Sequence, residues 1–228
     1  MITQFTTIAE PVATDANDGA AWETPISRRG TPTWEMALTF PHQGEWTEEE
    51  YLNLDTNRLV EFTDGVLEFL PMPGPAHFRI SRFLTDALRS FVEPPSLGEV
   101  FWAPYSVRIG EASFREPDIG FLATHRVPDG NTPPVGADLV MEIVSPGHND
   151  RQRDYEKKRQ EYARANIPEY WIIDPQSESI TVLTLTSGGN EYVEFGVFRP
   201  GQQATSVILF GFGIDVAKCF GVGRGQTA

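Results

Sequence analysis

The chain has 228 residues, and 32 acidic against 18 basic side chains give a formal net charge of −14, which disfavours a surface devoted to coating nucleic acid or anionic membrane. That length suits one hydrophobic core, the lone Cys219 excludes a disulfide framework and a thiolate metal cluster, and no apolar run reaches the ~20 residues of a membrane helix. The polar, acidic N-terminus lacks the basic start and apolar stretch of a secretory signal, so a cytoplasmic location is expected.

The acidity is uneven. Residues 1–75 hold 13 Asp and Glu against 3 Arg, a balance of −10, and residues 76–228 hold 19 against 15, a balance of −4. Residues 1–33 have no periodicity and too little apolar content to offset ordering entropy, and are expected to be a flexible acidic tail. Residues 34–220 then form a single domain, and residues 221–228 a short flexible C-terminal tail.

Thr47-Glu48-Glu49-Glu50 has capping-box spacing and predicts a short helix through WTEEEYLNL. Asp64-Gly65, between the apolar-alternating runs of RLVEFTDGVLEFLPM, predicts a tight hairpin. After Pro71, Pro73 and Pro75, the helical spacing of Ile80, Phe83, Leu84, Ala87, Leu88 and Phe91 predicts a long amphipathic helix with a basic outer face. Strands are predicted at 99–109, 113–124 and 137–145, the third apolar on both faces as a central strand should be. A charged helix follows over 150–166, then the buried strand EYWIIDP, and SITVLTL, EYVEFGVF and ATSVILF as an antiparallel extension. The order predicts an α/β sandwich: a central mixed β-sheet flanked by helices, with an N-terminal hairpin and a C-terminal antiparallel extension.

Glu142 lies inside Leu139-Val140-Met141-Glu142-Ile143-Val144, where an ionised carboxylate costs several kcal/mol unless compensated. Asp118 poses the same problem in Pro117-Asp118-Ile119-Gly120-Phe121, and the short connection 125–136 lets the two strands pair. Two such carboxylates can converge on one hard divalent ion, since Mg²⁺ takes one or two carboxylates and fills its other positions with water and phosphate oxygens. On the following helix, 3.6-residue spacing puts Tyr155, Lys158 and Tyr162 on one face, and Asp150, Arg153, Lys157, Glu161 and Arg164 on the opposite, charged one. Lys158 therefore points inward, with Asp154 one turn earlier able to fix it through an i, i+4 pair.

These residues resemble the Uma-two family, restriction-endonuclease-like proteins of the PD-(D/E)xK nuclease superfamily, in a bacterial form. The resemblance rests on GEWTEEEYLNL, NRLVEFTDG, LPMPGPAHFRIS, REPDIGFL, LVMEIVSPG and RDYEKKRQEYARANIPEYWIIDP and runs from about Trp34 to Phe220. It implies a PD-(D/E)xK restriction-endonuclease-like fold in which Pro117-Asp118 is the PD element and Glu142 the (D/E) element. The lysine expected two residues later is Val144, and the family's lysine moves to the helix, as Asp154, Lys158 and Tyr162 match. By the same resemblance, Glu61 is an additional acid near the metal and His77 a phosphate or water contact.

The implied activity is a Mg²⁺-dependent (or Mn²⁺-dependent) endonuclease acting on nucleic acid, with DNA as the expected substrate. Asp118 and Glu142 would hold the metal, and Lys158 would assist the attacking water. A homodimer would suit a double-strand cut. The alternative is a catalytically inactive nuclease-fold protein for binding or assembly, using its acidic site for a structural ion or a protein partner. Each residue also has a plain structural role open to it. One of Asp118 and Glu142 could cap a loop, and the other could pair with an arginine such as Arg115 or Arg153. Lys158 could snorkel to solvent, Glu61 could be an exposed strand residue, and His77 could bond only its loop. Glu116 would be solvated, and Tyr155 and Tyr162 would be packing residues.

Overall fold

The computed structural model describes residues 40–56, 58–147 and 151–225. The expected tail 1–33 and Asp150 lie outside them. The capping box forms as its spacing predicts: Thr47 Oγ1 accepts from Glu50 N at 3.2 Å and Glu50 Oε2 accepts from Thr47 N at 2.7 Å, starting helix α1 (Glu48–Leu52). The hairpin pairs β1 (Val60–Thr63) with β2 (Val66–Phe69). At its turn Asp64 and Gly65 both take positive φ, 47° and 81°, as a type I′ turn requires. A Cβ at Gly65 would sit 2.6 Å from Gly44 O, so Gly65→Ala combines backbone strain with a clash against main chain. Roughly 1–3 kcal/mol of stability should be lost; urea unfolding of the variant at the wild-type midpoint checks this.

Helix α2 (Pro75–Val92) buries Ile80, Leu84, Leu88 and Val92, each Leu contributing about 1.5–3 kcal/mol. They pack on Ile119, Phe121, Leu139, Met141 and Trp171, one face of a six-stranded sheet. Its order is β10-β9-β8-β7-β6-β3, with β3 (Gly98–Trp102), β6 (Ile119–Ala123), β7 (Leu139–Ile143), β8 (Glu169–Asp174), β9 (Ser179–Leu185) and β10 (Tyr192–Phe198). The β7–β8 pair is parallel and the others antiparallel, so the sheet is mixed. Helix α3 (Lys158–Arg164) covers the other face, where Tyr162 and Ala163 meet Val140, Tyr170 and Ile172. The result is the expected sheet with helices on both sides.

Four segments differ from expectation. The runs 99–109 and 113–124 each break in two, at the Ala103–Pro104 bond and at Pro117. β4 (Val107–Gly110) and β5 (Ser113–Arg115) join β1 and β2 in a separate four-stranded sheet, order β2-β1-β5-β4. Proline lacks the N–H that would continue a ladder, and so sends the chain from one sheet to the other. ATSVILF is a strand only through Thr205: β11 (Gln203–Thr205) pairs with β12 (Gly213–Asp215), while Val207 and Ile208 donate their N–H groups to Glu169 Oε2. Finally, helix α4 (Val216–Gly223) packs against α2 and runs past the boundary expected at Phe220.

Candidate active site

Pro117 and Asp118 lie in the junction between the two sheets, after β5 ends at Arg115 and just before β6 begins at Ile119. The β6–β7 register sets Ile119 against Met141 and Phe121 against Leu139, and one further step sets Asp118 opposite Glu142. Strand alternation turns Val140 and Glu142 toward α3, away from the Leu139, Met141 and Ile143 face packed under α2. The helix arriving there is irregular. Arg153–Lys157 form a π-turn, with Lys158 N–H reaching back to Arg153 O, before α3 begins. This wider turn brings both Asp154 and Lys158 inside, each 2% exposed; π-turns of this kind often mark functional sites.

Lys158 Nζ lies 2.8 Å from Glu142 Oε1, 3.4 Å from Glu61 Oε1 and 3.9 Å from Asp154 Oδ1. Tyr162 donates its hydroxyl to the same Glu142 oxygen at 2.5 Å. Asp118 Oδ2 accepts Ile143 N–H at 2.7 Å and faces His77 Nε2 at 3.1 Å. Behind them Arg115, 1% exposed, donates to both oxygens of Glu161 at 2.9 and 2.7 Å and lies 3.6 Å from Glu61 Oε2. Both Glu61 oxygens and Asp154 Oδ1 are buried without a hydrogen-bond partner; their cations are close enough for ion pairing but outside bonding geometry.

The electrostatics separate the carboxyls. Burial pushes Glu142 up to about 8, with Asp118 and Asp154 adding to it and Lys158 opposing. Burial likewise pushes Asp154 up to about 6 and Glu116 up to about 7. Burial also works on Asp118, but His77, Lys158 and the Ile143 N–H outweigh it and hold this acid below its ordinary value. Burial would discharge Lys158 and His77, yet the surrounding carboxylates, Glu142 first for Lys158 and Asp118 first for His77, keep both above their usual values. Carboxyls driven apart in this way are characteristic of functional sites.

The structure therefore brings together Asp118, Glu142, Lys158, Glu61, His77 and Asp154. Lys158 does not snorkel, and Glu61 is buried rather than exposed, at 1%. His77 reaches across to Asp118 rather than serving its own loop. Arg115 pairs with Glu161 and Glu61, so Glu161 faces inward rather than lying on the opposite, charged face. Glu116 is half-buried, accepting Val60 N–H at 3.1 Å, because β5 has crossed to the hairpin sheet. Tyr162, read as packing, also holds Glu142. The signal for Glu61 was present: Val60-Glu61-Phe62 is an acid between apolar strand residues, the same pattern that singled out Glu142.

A cavity of about 30 Å³ is lined by His77, Glu116, Asp118, Glu142, Asp154 and Lys158, room for one water-sized occupant. Among the described residues no group of three or more His, Cys, Asp or Glu converges as a metal site. The donor chemistry fits a hard ion on two carboxylates completed by water, as Mg²⁺ accepts. Asp118 and Glu142 each have one oxygen engaged in the bonds above, leaving the second carboxylate oxygen of each as the donor such an ion would take.

Residues 48–217 match the family Uma2, described as "Putative restriction endonuclease". No curated protein matches. A solved structure from Anabaena variabilis, titled "a putative nuclease belonging to DUF820", is similar with a TM-score of 0.64 and 21% identity, over 77% of this chain and 97% of that one. At that identity the likeness establishes a shared fold. No helix among the described residues is long and apolar enough to cross a membrane. With the family match spanning most of its length, the chain belongs to the Uma-two family of restriction-endonuclease-like proteins.

Proposed function

We propose that the protein is a Mg²⁺- or Mn²⁺-dependent nuclease that hydrolyses phosphodiester bonds, DNA being the expected substrate. Asp118 and Glu142 are its metal carboxylates and Lys158 its electrostatic partner. The carrying observation is the pair of carboxylates, Asp118 immediately before β6 and Glu142 on the paired strand β7, with a buried lysine bonded to Glu142. An ion held there would polarise a phosphoryl oxygen and make a water a better nucleophile at neutral pH. Asp118, held below its ordinary value, supplies an ionised oxygen at neutral pH, in a rotamer fixed by His77 and Ile143 N–H. Lys158 keeps a fixed positive charge beside the reacting phosphate, where negative charge develops. Tyr162 and Lys158 together orient Glu142.

The test is incubation of the purified protein with plasmid and oligonucleotide substrates in Mg²⁺, in Mn²⁺ and in EDTA. Cutting is expected only with metal; cutting that survives chelation overturns the reading. A proton on Glu142 competes with the ion. With that carboxyl near 8, Mg²⁺ affinity should fall up to about tenfold per pH unit below pH 8 and level off above it. Calorimetry at about pH 6.5 and pH 8.5 measures the difference.

A second reading, a nuclease-fold binding or assembly protein without turnover, is favoured by one observation. Glu142 Oε1 already carries both Lys158 and Tyr162, contacts that compensate this carboxyl without an ion. Absence of turnover with every divalent metal, together with retained nucleic-acid or protein binding, would select it.

A further inference from the structure

His77 and Asp118 also line a second, larger space, a groove of about 520 Å³. Its walls carry side chains unusual for a free surface: Met72, Phe78 and Trp102 are 68%, 63% and 48% exposed. Around these apolar surfaces stand Arg58, Arg82 and Arg89, with Asp86 and Asp118 as the acids of the same lining, in a chain whose overall charge is strongly negative. Arg89 lies over the Trp102 ring, its Cζ 6.0 Å from the centroid, and is tied to Glu93 at 2.6 Å. Arg82 is paired only loosely, 3.7 Å from Asp86 at the surface. Flat aromatic faces interleaved with guanidinium groups are what a nucleobase and its phosphates require. A volume of this size accepts a single small ligand, whereas a duplex keeps its bases stacked inside and presents phosphates on a much broader surface.

We propose that this groove binds an unpaired nucleotide next to the scissile phosphate. The base stacks on Phe78 and the Trp102 ring that Arg89 braces, and the neighbouring phosphates meet Arg58 and Arg82. The substrate would then be single-stranded or locally splayed nucleic acid. The proposal rests on the nuclease reading for its ligand class, because the groove opens on Asp118 and His77. Its energetic basis is separate: base stacking and phosphate contacts need neither metal nor turnover.

The experiment is fluorescence anisotropy of a short labelled single-stranded oligodeoxynucleotide against the blunt duplex of the same sequence. It is done with the full chain in EDTA at low salt, so that nothing is cut. The single strand is expected to bind at least about tenfold more tightly than the duplex. Trp102→Ala and, independently, Phe78→Ala should each weaken it roughly tenfold, while Trp102→Phe retains most of the affinity. Equal or tighter duplex binding overturns the proposal, as do alanine variants with unchanged affinity. No oligonucleotide binding, with self-association that Phe78→Ala abolishes, would assign the groove to a second copy of the chain and overturn it as well. Metal-dependent cutting with a KM unmoved by Trp102→Ala removes the groove and leaves the nuclease reading standing. Trp102-dependent binding without cutting in any metal does the reverse.

Discussion

Asp118→Asn should reduce metal-dependent phosphodiester cleavage by roughly a thousandfold, because an ion's stabilisation of transition-state charge is worth several kcal/mol and each 1.36 kcal/mol is a factor of ten. Among the site's shifted carboxyls, Asp118 alone is held below its ordinary value, while burial pushes Glu142, Asp154 and Glu116 upward. At neutral pH it is therefore ionised and can receive a cation without first losing a proton. Asparagine keeps the size of the side chain and an oxygen for Ile143 N–H, now 2.7 Å away, so the fold should survive; what disappears is the charge. The carboxylate is also 15% exposed, close to the groove, so the loss falls on the reacting end of the site. Single-turnover cleavage of a labelled oligonucleotide, paired with Mg²⁺ calorimetry, checks both effects. A variant that cuts within tenfold of the wild-type rate would remove Asp118 from the metal.

What the sequence shows, and what it hides, divides along physical lines. Local geometry was legible: Asp64-Gly65 demands a turn that tolerates positive φ, and Thr47 with Glu50 closes a helix start within four residues. The expense of burying Glu142 in an apolar strand was legible too, and with it the pairing of two acids across a short connection. Which sheet a strand joins was not. The alternation of apolar residues is the same on either side of Ala103–Pro104 and Pro117, and only the tertiary partner distinguishes β3 from β4 or β5 from β6. The burial of Glu61 and Arg115 depends on that second sheet, which carries them against the helix. The helix face was half legible. Uniform 3.6-residue spacing put Lys158 inside correctly, but the π-turn at Arg153–Lys157 shifts the preceding residues, and Glu161, only about 60° from Lys158 around the regular helix, faces Arg115 rather than the opposite side. The hydroxyl of Tyr162 follows from packing: a ring at this position reaches Glu142 only because β7 turns that acid toward α3.

Lys158→Met should destabilise the metal-free protein by about 3–5 kcal/mol at alkaline pH, the usual consequence of removing one partner from a buried charge cluster, and by much less in mild acid. The lysine is 2% exposed and faces Glu142, Glu61 and Asp154. Its own folded-state pKa is raised, so its favourable pairing is fully present below the unfolded value and is lost only far above neutrality; between pH 5 and 9 its charge is constant. The pH dependence therefore comes from the carboxyls. Glu142 and Asp154, pushed up to about 8 and about 6, hold more protons folded than unfolded, so the wild type already loses stability as pH rises from about 4 toward 8. Lys158 opposes both upward shifts. Without it they climb further, and the variant's folded state must keep its protons to a higher pH. The difference between the two proteins consequently widens as pH increases, and narrows in acid where these carboxyls are neutral in both. Methionine fills much of the lysine stem's volume, which limits the cavity contribution. Urea unfolding of both proteins in EDTA at about pH 5.5, 7 and 9 measures the trend. A loss equal at all three values would mean that Lys158 acts through packing alone, and that the charge cluster is not what holds Glu142 in place.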